Sequence, residues 1–428
     1  MTPPLSHTFR SFRTRNYRLF ATGQLISLVG TWMSTVGQDW LVLSLGGRGV
    51  ALGIITALQF LPLIFFGMYG GTLADRHPKR RILLCTASAS AVLATVLFAL
   101  VASGNAEIWM VGVLAALLGT VTAIDMPARQ SFTVEMVGSD DLVNAVALNS
   151  ATFNLARILG PAIAGVVIAT WDIAPVFALN ALSYVAVIIG LRAMQVSDLT
   201  PAHRVERARG QFREAVAYVA GRRELLVPVL LVGSLGMFVF NSQINLALMA
   251  KEEFHRDAAA YGVLSSALAV GALCGALLSA RRGRPSVAVL VSSALLFSAM
   301  VVLVGFAPNI VAFAVLLVPM GLLMITFAAT ANAIVQLNAG EEIRGRVMAL
   351  YSLVFLGGTP IGAPIIGWLA QRYGARSGLI LGGLAGAAAT VVITSVLLRT
   401  SSRDAVRHPR SFARHLRSAV SATSDAVR

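Results

Sequence analysis

The sequence predicts an all-α protein that crosses a membrane twelve times. Three observations carry this. Of 428 residues, 57 % are hydrophobic and only 12 % are charged, about half the charged share of a soluble domain. The apolar residues fall in blocks of about 20 or more, the length needed to cross ~30 Å of hydrocarbon as a helix. Lys and Arg gather between alternate pairs of blocks, which is how membrane topology is set.

Residues 1–16 form a short arm carrying Arg10, Arg13 and Arg15. Span 1 runs from about Tyr17 to Leu45, too long for a signal peptide and without a small-residue cleavage site, so it is read as uncleaved. Span 2 covers about Val50 to Asp75, span 3 Ile82 to Ser103 and span 4 Ile108 to Met126, with 127–140 as a connector. Spans 5 and 6 cover about Asp141 to Thr170 and Pro175 to Met194. The polar stretch 195–223 separates two halves, and Gln211 to Ala220 within it reads as an amphipathic surface helix. Spans 7 to 12 begin near Leu225, Tyr261, Ser286, Ile310, Ile343 and Gly378, the last ending near Leu398. The tail 399–428 is basic, with Arg403, Arg407, Arg410, Arg414 and Arg417 at helical spacing. The halves are therefore 17–194 and 224–398.

With this layout, 28 Lys and Arg lie on the side of both termini and five on the other. Both termini are expected in the cytoplasm; Arg far outnumbers Lys and Ala is abundant, which points to a bacterial source and so to a bacterial plasma membrane, and a monomer is expected. The net charge of +15 is spread over short loops and tails, with no soluble segment large enough for a nucleic-acid-binding module, so no nucleic-acid partner is expected. Cys85 and Cys274 lie in apolar spans and imply no disulfide framework. All six histidines lie outside the spans, so no metal site is expected. No phosphate-binding glycine loop and no catalytic triad-like constellation is present, so neither a cofactor nor an enzyme activity is expected.

Charge inside a bilayer is costly and marks function or pairing. Asp39 in span 1 and Arg157 in span 5 stand out, whereas the cores of spans 7 to 12 carry no charge. Asp39 reads either as a proton-carrying carboxylate or as an interfacial acid that holds a neighbouring helix. Arg157 cannot deprotonate, so it needs an acid, helix carbonyls or an anionic substrate; Asp39 is one possible partner. Three polar stripes are expected to line a central cavity: Gln24, Ser27, Thr31, Ser34, Thr35 and Gln38 in span 1; Ser150, Asn154, Arg157, Pro161 and Gly165 in span 5; Ser234, Asn241 and Asn245 in span 7.

The turn after span 2 reads GMYGGTLADRHPKRR, residues 67–81. It resembles the loop signature of the major facilitator superfamily, matched by Gly71, Asp75, Arg76, Lys79 and Arg80, with Pro78 where that family usually has Gly and Lys79 where it has Arg. The resemblance implies a gate on the cytoplasmic side, Asp75 facing the start of span 11 near Glu341 and Lys79 pairing with Asp125. Span 8 closes with a degraded copy, Gly275 to Arg282, that has Ser279 where Asp75 stands.

The halves also resemble one another. At an offset of 202, Gly119 matches Gly321, Ser150 matches Ser352, and Gly160 and Gly165 match Gly362 and Gly367. Two parallel six-helix halves are what the major facilitator fold has. Gly160-Pro161 resembles the antiporter-associated signature of the superfamily's drug exporters, and Pro360 and Pro364 repeat the helix-bending theme in span 11. The segments 12–20, 38–42 and 125–130 resemble bacterial exporters related to macrolide-efflux proteins and the enterobactin exporter. The resemblance implies proton-coupled efflux of amphipathic drug-like molecules by alternating access. Siderophore or metabolite export, and a non-transporting scaffold or receptor, stand as alternatives.

Overall fold

A computed structural model describes residues 9–138, 140–199, 211–281 and 285–407. The N-terminal octet, residues 200–210, Arg282 and the tail beyond 407, with Arg410, Arg414 and Arg417, lie outside the described residues. Among these, twelve helical stretches are long and apolar enough to span a membrane. Apolar helices are the natural solution in lipid, where each backbone polar group must be satisfied within its own segment.

Spans 1 to 6 are Arg15–Ser44, Gly49–Arg76, Lys79–Ala102, Ile108–Val137, Leu142–Trp171 and Ala174–Arg192. Span 4 differs from its sequence reading, because the helix passes through Pro127 and ends only at Val137. Pro127 cannot bond the carbonyl of Ala123. That carbonyl turns toward span 2, where a Cβ on Gly70 would lie only 2.2 Å from it. A close backbone approach thus accommodates the proline.

Span 7, Arg223–Glu253, is the most broken. A helix Arg223–Phe238 stops, restarts as Ser242–Leu248 and widens into a π turn Met249–Glu253. Spans 8 to 12 are Ala258–Arg281, Val287–Gly305, Ile310–Asn338, Arg344–Tyr373 and Ala375–Arg407. The connector helix Gln211–Ala220 forms and packs on span 11, burying Ala215 and Val219. Glu214 pairs with Arg346, and Gly340 donates its N–H to the Tyr218 hydroxyl at 3.2 Å. The N-terminal arm is also seated: Arg10 pairs with Asp141 at 2.7 Å and the Ser11 hydroxyl donates to Asn144 Oδ1 at 2.8 Å.

Within the first half, span 2 packs on span 4, span 1 on spans 5 and 6, and span 3 on spans 4 and 6. In the second, span 8 packs on span 10, span 7 on spans 11 and 12, and span 9 on spans 10 and 12. The repeat does the same work twice. Gly160 abuts Val29 and Trp32 of span 1, and Gly362 abuts Met237 of span 7, so each seats its helix on the first span of its own half. Gly165 meets Ala259 of span 8, and Gly367 meets Gly49 of span 2, so each closes a seam with the other half. Span 5 is followed by Asp172 and span 11 by Gly374 as their C-caps, 202 residues apart and both at positive φ.

Candidate transport cavity and its gates

Two seams join the halves, spans 2 and 11 on one flank and spans 5 and 8 on the other. Both are tight at the face away from the termini. In the first, a Cβ on Gly367 would lie 2.0 Å from the carbonyl oxygen of Gly49, and one on Gly53 would lie 2.5 Å from that of Ala363. The Val50 N–H donates to Gln371 Oε1 at 3.1 Å. In the second, a Cβ on Gly262 would lie 2.4 Å from the carbonyl oxygen of Pro161, and the Ser266 hydroxyl donates to the Ile158 carbonyl at 2.9 Å. Small residues allow such backbone contact, which side chains would prevent.

Toward the termini the seams part. A Cβ on Gly357 would still lie 3.7 Å from the Ile64 side chain, but Gly67 and Gly345, further along the same two helices, have nothing within 4 Å of a Cβ position. Span 5 shows the same gradient along one face. Pro161 is buried, Arg157 and Asn154 are half-buried, Ser150 and Ala147 are exposed, and Val143 is 82 % exposed. The interior is a wedge, closed at the far face and open at the face of the termini. A separate cavity of about 650 Å³ between spans 2 and 4 holds neither Asp39 nor Arg157.

Asp39 sits at the closed end and is 5 % exposed. Its Oδ2 accepts from the Tyr261 hydroxyl of span 8 at 2.6 Å. Tyr261 also lies 3.0 Å from Gln243 of span 7, which takes part with Ser265 at 3.4 Å. A phenol has one proton; the shorter contact takes it, and Gln243 completes the group when its amide presents the nitrogen. Close by, the Lys251 ammonium donates to the carbonyl of Leu43 and lies 5.7 Å from the Trp40 ring. Span 1 is thus tied to spans 7 and 8 by polar contacts that bridge the halves. Tyr261 and Gln243 carry no signal in the sequence alone, since a tyrosine near a span end reads as an interfacial aromatic.

Arg157 does not reach Asp39. Its Nη2 donates to Asn154 Oδ1 at 3.2 Å, and its charge lies 6.0 Å from the Phe153 ring centre. Its buried Nε has no hydrogen-bond partner. The two intramembrane charges are separated because Asp39 lies at the closed seam and Arg157 one turn inside it.

The polar stripes of spans 1 and 7 are largely packed away from the wedge, while that of span 5 faces it. Gln24 and Gln38 are buried at 9 % and 8 % exposure, and the Thr31 hydroxyl sits 3.4 Å from that of Tyr184 in span 6. Gly23, Gly30 and Gly37, seven apart, press span 1 onto span 6, so much of this polar face is packing rather than cavity wall. Asn241 and Asn245 are also buried. Their amides donate to the carbonyls of Met237 and Asn241, repairing the break in span 7, and Asn245 Oδ1 points at Gly378 of span 12.

At the termini face, Gly71 is buried, Asp75 half-buried and Arg76 exposed. Arg80 donates to the carbonyls of Leu191 and Arg192 at 2.7 and 3.2 Å, capping span 6. Lys79 does not pair with Asp125. It meets Glu135 at 2.8 Å, while Asp125 accepts from Thr86 at 2.7 Å and from Arg129 at 2.8 and 3.1 Å. The cause is the longer span 4: ten residues of helix beyond Asp125 advance about 15 Å, which brings Glu135 beside the start of span 3. Glu341 is exposed, and the nearby start of span 11 is engaged by the connector helix through the Glu214–Arg346 pair. Pro161, Pro360 and Pro364 all lie within continuous helices, Pro161 and Pro364 at the two seams.

A twelve-helix bundle of two repeated halves around a one-sided wedge defines a class, the alternating-access membrane transporters. Residues 6–427 match the family described as transmembrane secretion effector, and the chain belongs to this family of the major facilitator superfamily. It is similar to macrolide efflux protein A of Streptococcus pyogenes, 25 % identical over 88 % of this chain and 94 % of that protein. It is 28 % identical to the multidrug efflux pump Tap of Mycobacterium tuberculosis, over 83 % of this chain and 87 % of Tap. Staphyloferrin A transporter of Staphylococcus aureus is 30 % identical, but over 41 % of this chain and 44 % of that protein only. Among solved structures, a bacterial homologue of the human lysosomal transporter Spinster, inward-facing and unoccupied, superposes with a TM-score of 0.70 at 13 % identity, covering 92 % and 96 % of the two chains. The nucleoside transporter NupG gives 0.70 at 10 % identity, covering 89 % and 99 %. The protein is a multi-pass bacterial membrane transporter.

Proposed function

We propose that the chain exports amphipathic small molecules from the cytoplasm by alternating access, driven by protons that enter through Asp39. The observation that carries this reading is the asymmetry of the wedge. One end is shut by backbone-to-backbone glycine seams and the Tyr261–Asp39 contact, and the other is open. Excess Lys and Arg on the open side supports a cytoplasmic orientation for that side, with both termini. Cargo enters there from the cytoplasm. Opening the far face must break Tyr261 from Asp39 and expose the carboxylate to outside water, where it takes up a proton. Closing then buries a neutral group, which costs less than burying a charged one, and the proton leaves to the cytoplasm through the open wedge as the carboxylate takes up the Tyr261 hydroxyl again. The efflux proteins among the relatives support the direction.

The reading is tested in everted membrane vesicles energised to an acid interior. Accumulation of a fluorescent amphiphile is expected in vesicles holding the protein, abolished by a protonophore and by Asp39→Asn. Accumulation that ignores the protonophore would refute proton coupling.

A further inference from the structure

We propose that Arg157 is a docking point for an oxyanion, and that the cargo of this cavity includes amphipathic carboxylates. The inference rests on the reading of the wedge as the transport cavity. Arg157 lies on the cavity face of span 5, one turn before Pro161, where span 5 meets span 8 and the wedge ends. A guanidinium stays charged in any protein environment and offers five N–H donors. Here it makes one hydrogen bond, to a neutral amide on its own helix, and its buried Nε makes none. No acidic side chain among the described residues forms an ion pair with it.

The candidate acids are committed elsewhere. Asp39 holds Tyr261, and Asp125 is taken by Arg129 and Thr86. The facing helix, span 8, offers Ser266, whose hydroxyl is already given to Ile158. The membrane core of the second half carries no charge that could balance the guanidinium from across the wedge. A half-buried cation without a counter-charge is expensive. Arg157 therefore presents a standing positive field at the bottom of the cavity, and its fork geometry fits a planar carboxylate. Phe153, 42 % exposed and packed edge-on against Trp32 at 5.7 Å, gives an apolar platform beside it. An anion with an apolar body satisfies both.

The test uses the purified full chain in lipid nanodiscs, with empty nanodiscs as blank. The probes are 11-(dansylamino)undecanoic acid and its methylamide, which differ in charge at one end. Fluorescence titration is expected to give about tenfold tighter binding of the acid, the gain of one or two charge-assisted hydrogen bonds. Arg157→Gln is expected to erase that preference while binding the amide within about twofold of wild type, in line with the loss of charge assistance alone. Arg157→Lys, which keeps the charge, retains a preference for the acid. Equal binding of the two probes by wild type, or an acid preference that survives Arg157→Gln, would overturn the proposal. The readout is binding, so an acid preference without transport in vesicles would fault the transport reading and leave the anion site standing.

Discussion

The Tyr261 hydroxyl donates to Asp39 at 2.6 Å, joining span 8 of one half to span 1 of the other across 222 residues of chain. Tyr261→Phe keeps the ring and removes the donor, leaving a buried carboxylate oxygen short of its partner. Such a loss costs about 1–3 kcal/mol, and here it weighs on the closed far face. The expected result is a shift toward far-face opening. Spin labels at Ser103 and Arg256, both exposed at that face, with Cys85 and Cys274 replaced, would show a new longer distance. An unchanged distance distribution would mean that the contact does not hold the face shut.

The glycine seam gives a sharper contrast. Gly367→Ala would place a methyl 2.0 Å from the Gly49 carbonyl oxygen, and neither backbone can yield without parting spans 2 and 11. Gly67→Ala meets open space on the same flank. In thermal unfolding of detergent-solubilised protein, Gly367→Ala is expected to lose stability by about 1–3 kcal/mol, the range for overpacking. Gly67→Ala is expected to match wild type or gain slightly, as helix propensity favours alanine. Equal effects would refute the seam geometry.

Lys79 and Glu135 form a pair with side chains 12 % and 9 % exposed. Removing one partner takes a buried charge's ion pair away, at a cost of about 1–3 kcal/mol once partial solvation is allowed for. A double-mutant cycle of Lys79→Met with Glu135→Gln is expected to show coupling. The cycle of Lys79→Met with Asp125→Asn is expected to show none, since Asp125 is held by Arg129 and Thr86. Coupling to Asp125 instead would restore the pairing implied by the loop signature.

That pair illustrates what the sequence could and could not tell. The spans were legible because each is an apolar run of membrane-crossing length, and the duplicated glycines because packing fixes their spacing. Asp39 and Arg157 were legible as charges in apolar surroundings. Their partners were not. Tyr261 and Gln243 meet Asp39 through the packing of the two halves, which no local periodicity encodes. Glu135 was missed because Pro127 reads as a helix end in water, whereas in a bundle the freed carbonyl of Ala123 finds Gly70. The polar stripe of span 1 showed one face correctly but not its neighbour, since a glycine heptad beside it turns much of that face to span 6.

In the proposed cycle, cargo leaves against protons entering through Asp39. The most direct test is proteoliposomes with a pH-sensitive dye inside, to which macrolides, amphipathic dyes and siderophores are added in turn. Wild type is expected to move protons when, and only when, a cargo is present, and Asp39→Asn is expected to move none. Cargo flux without proton movement, or proton movement that survives Asp39→Asn, would contradict the account.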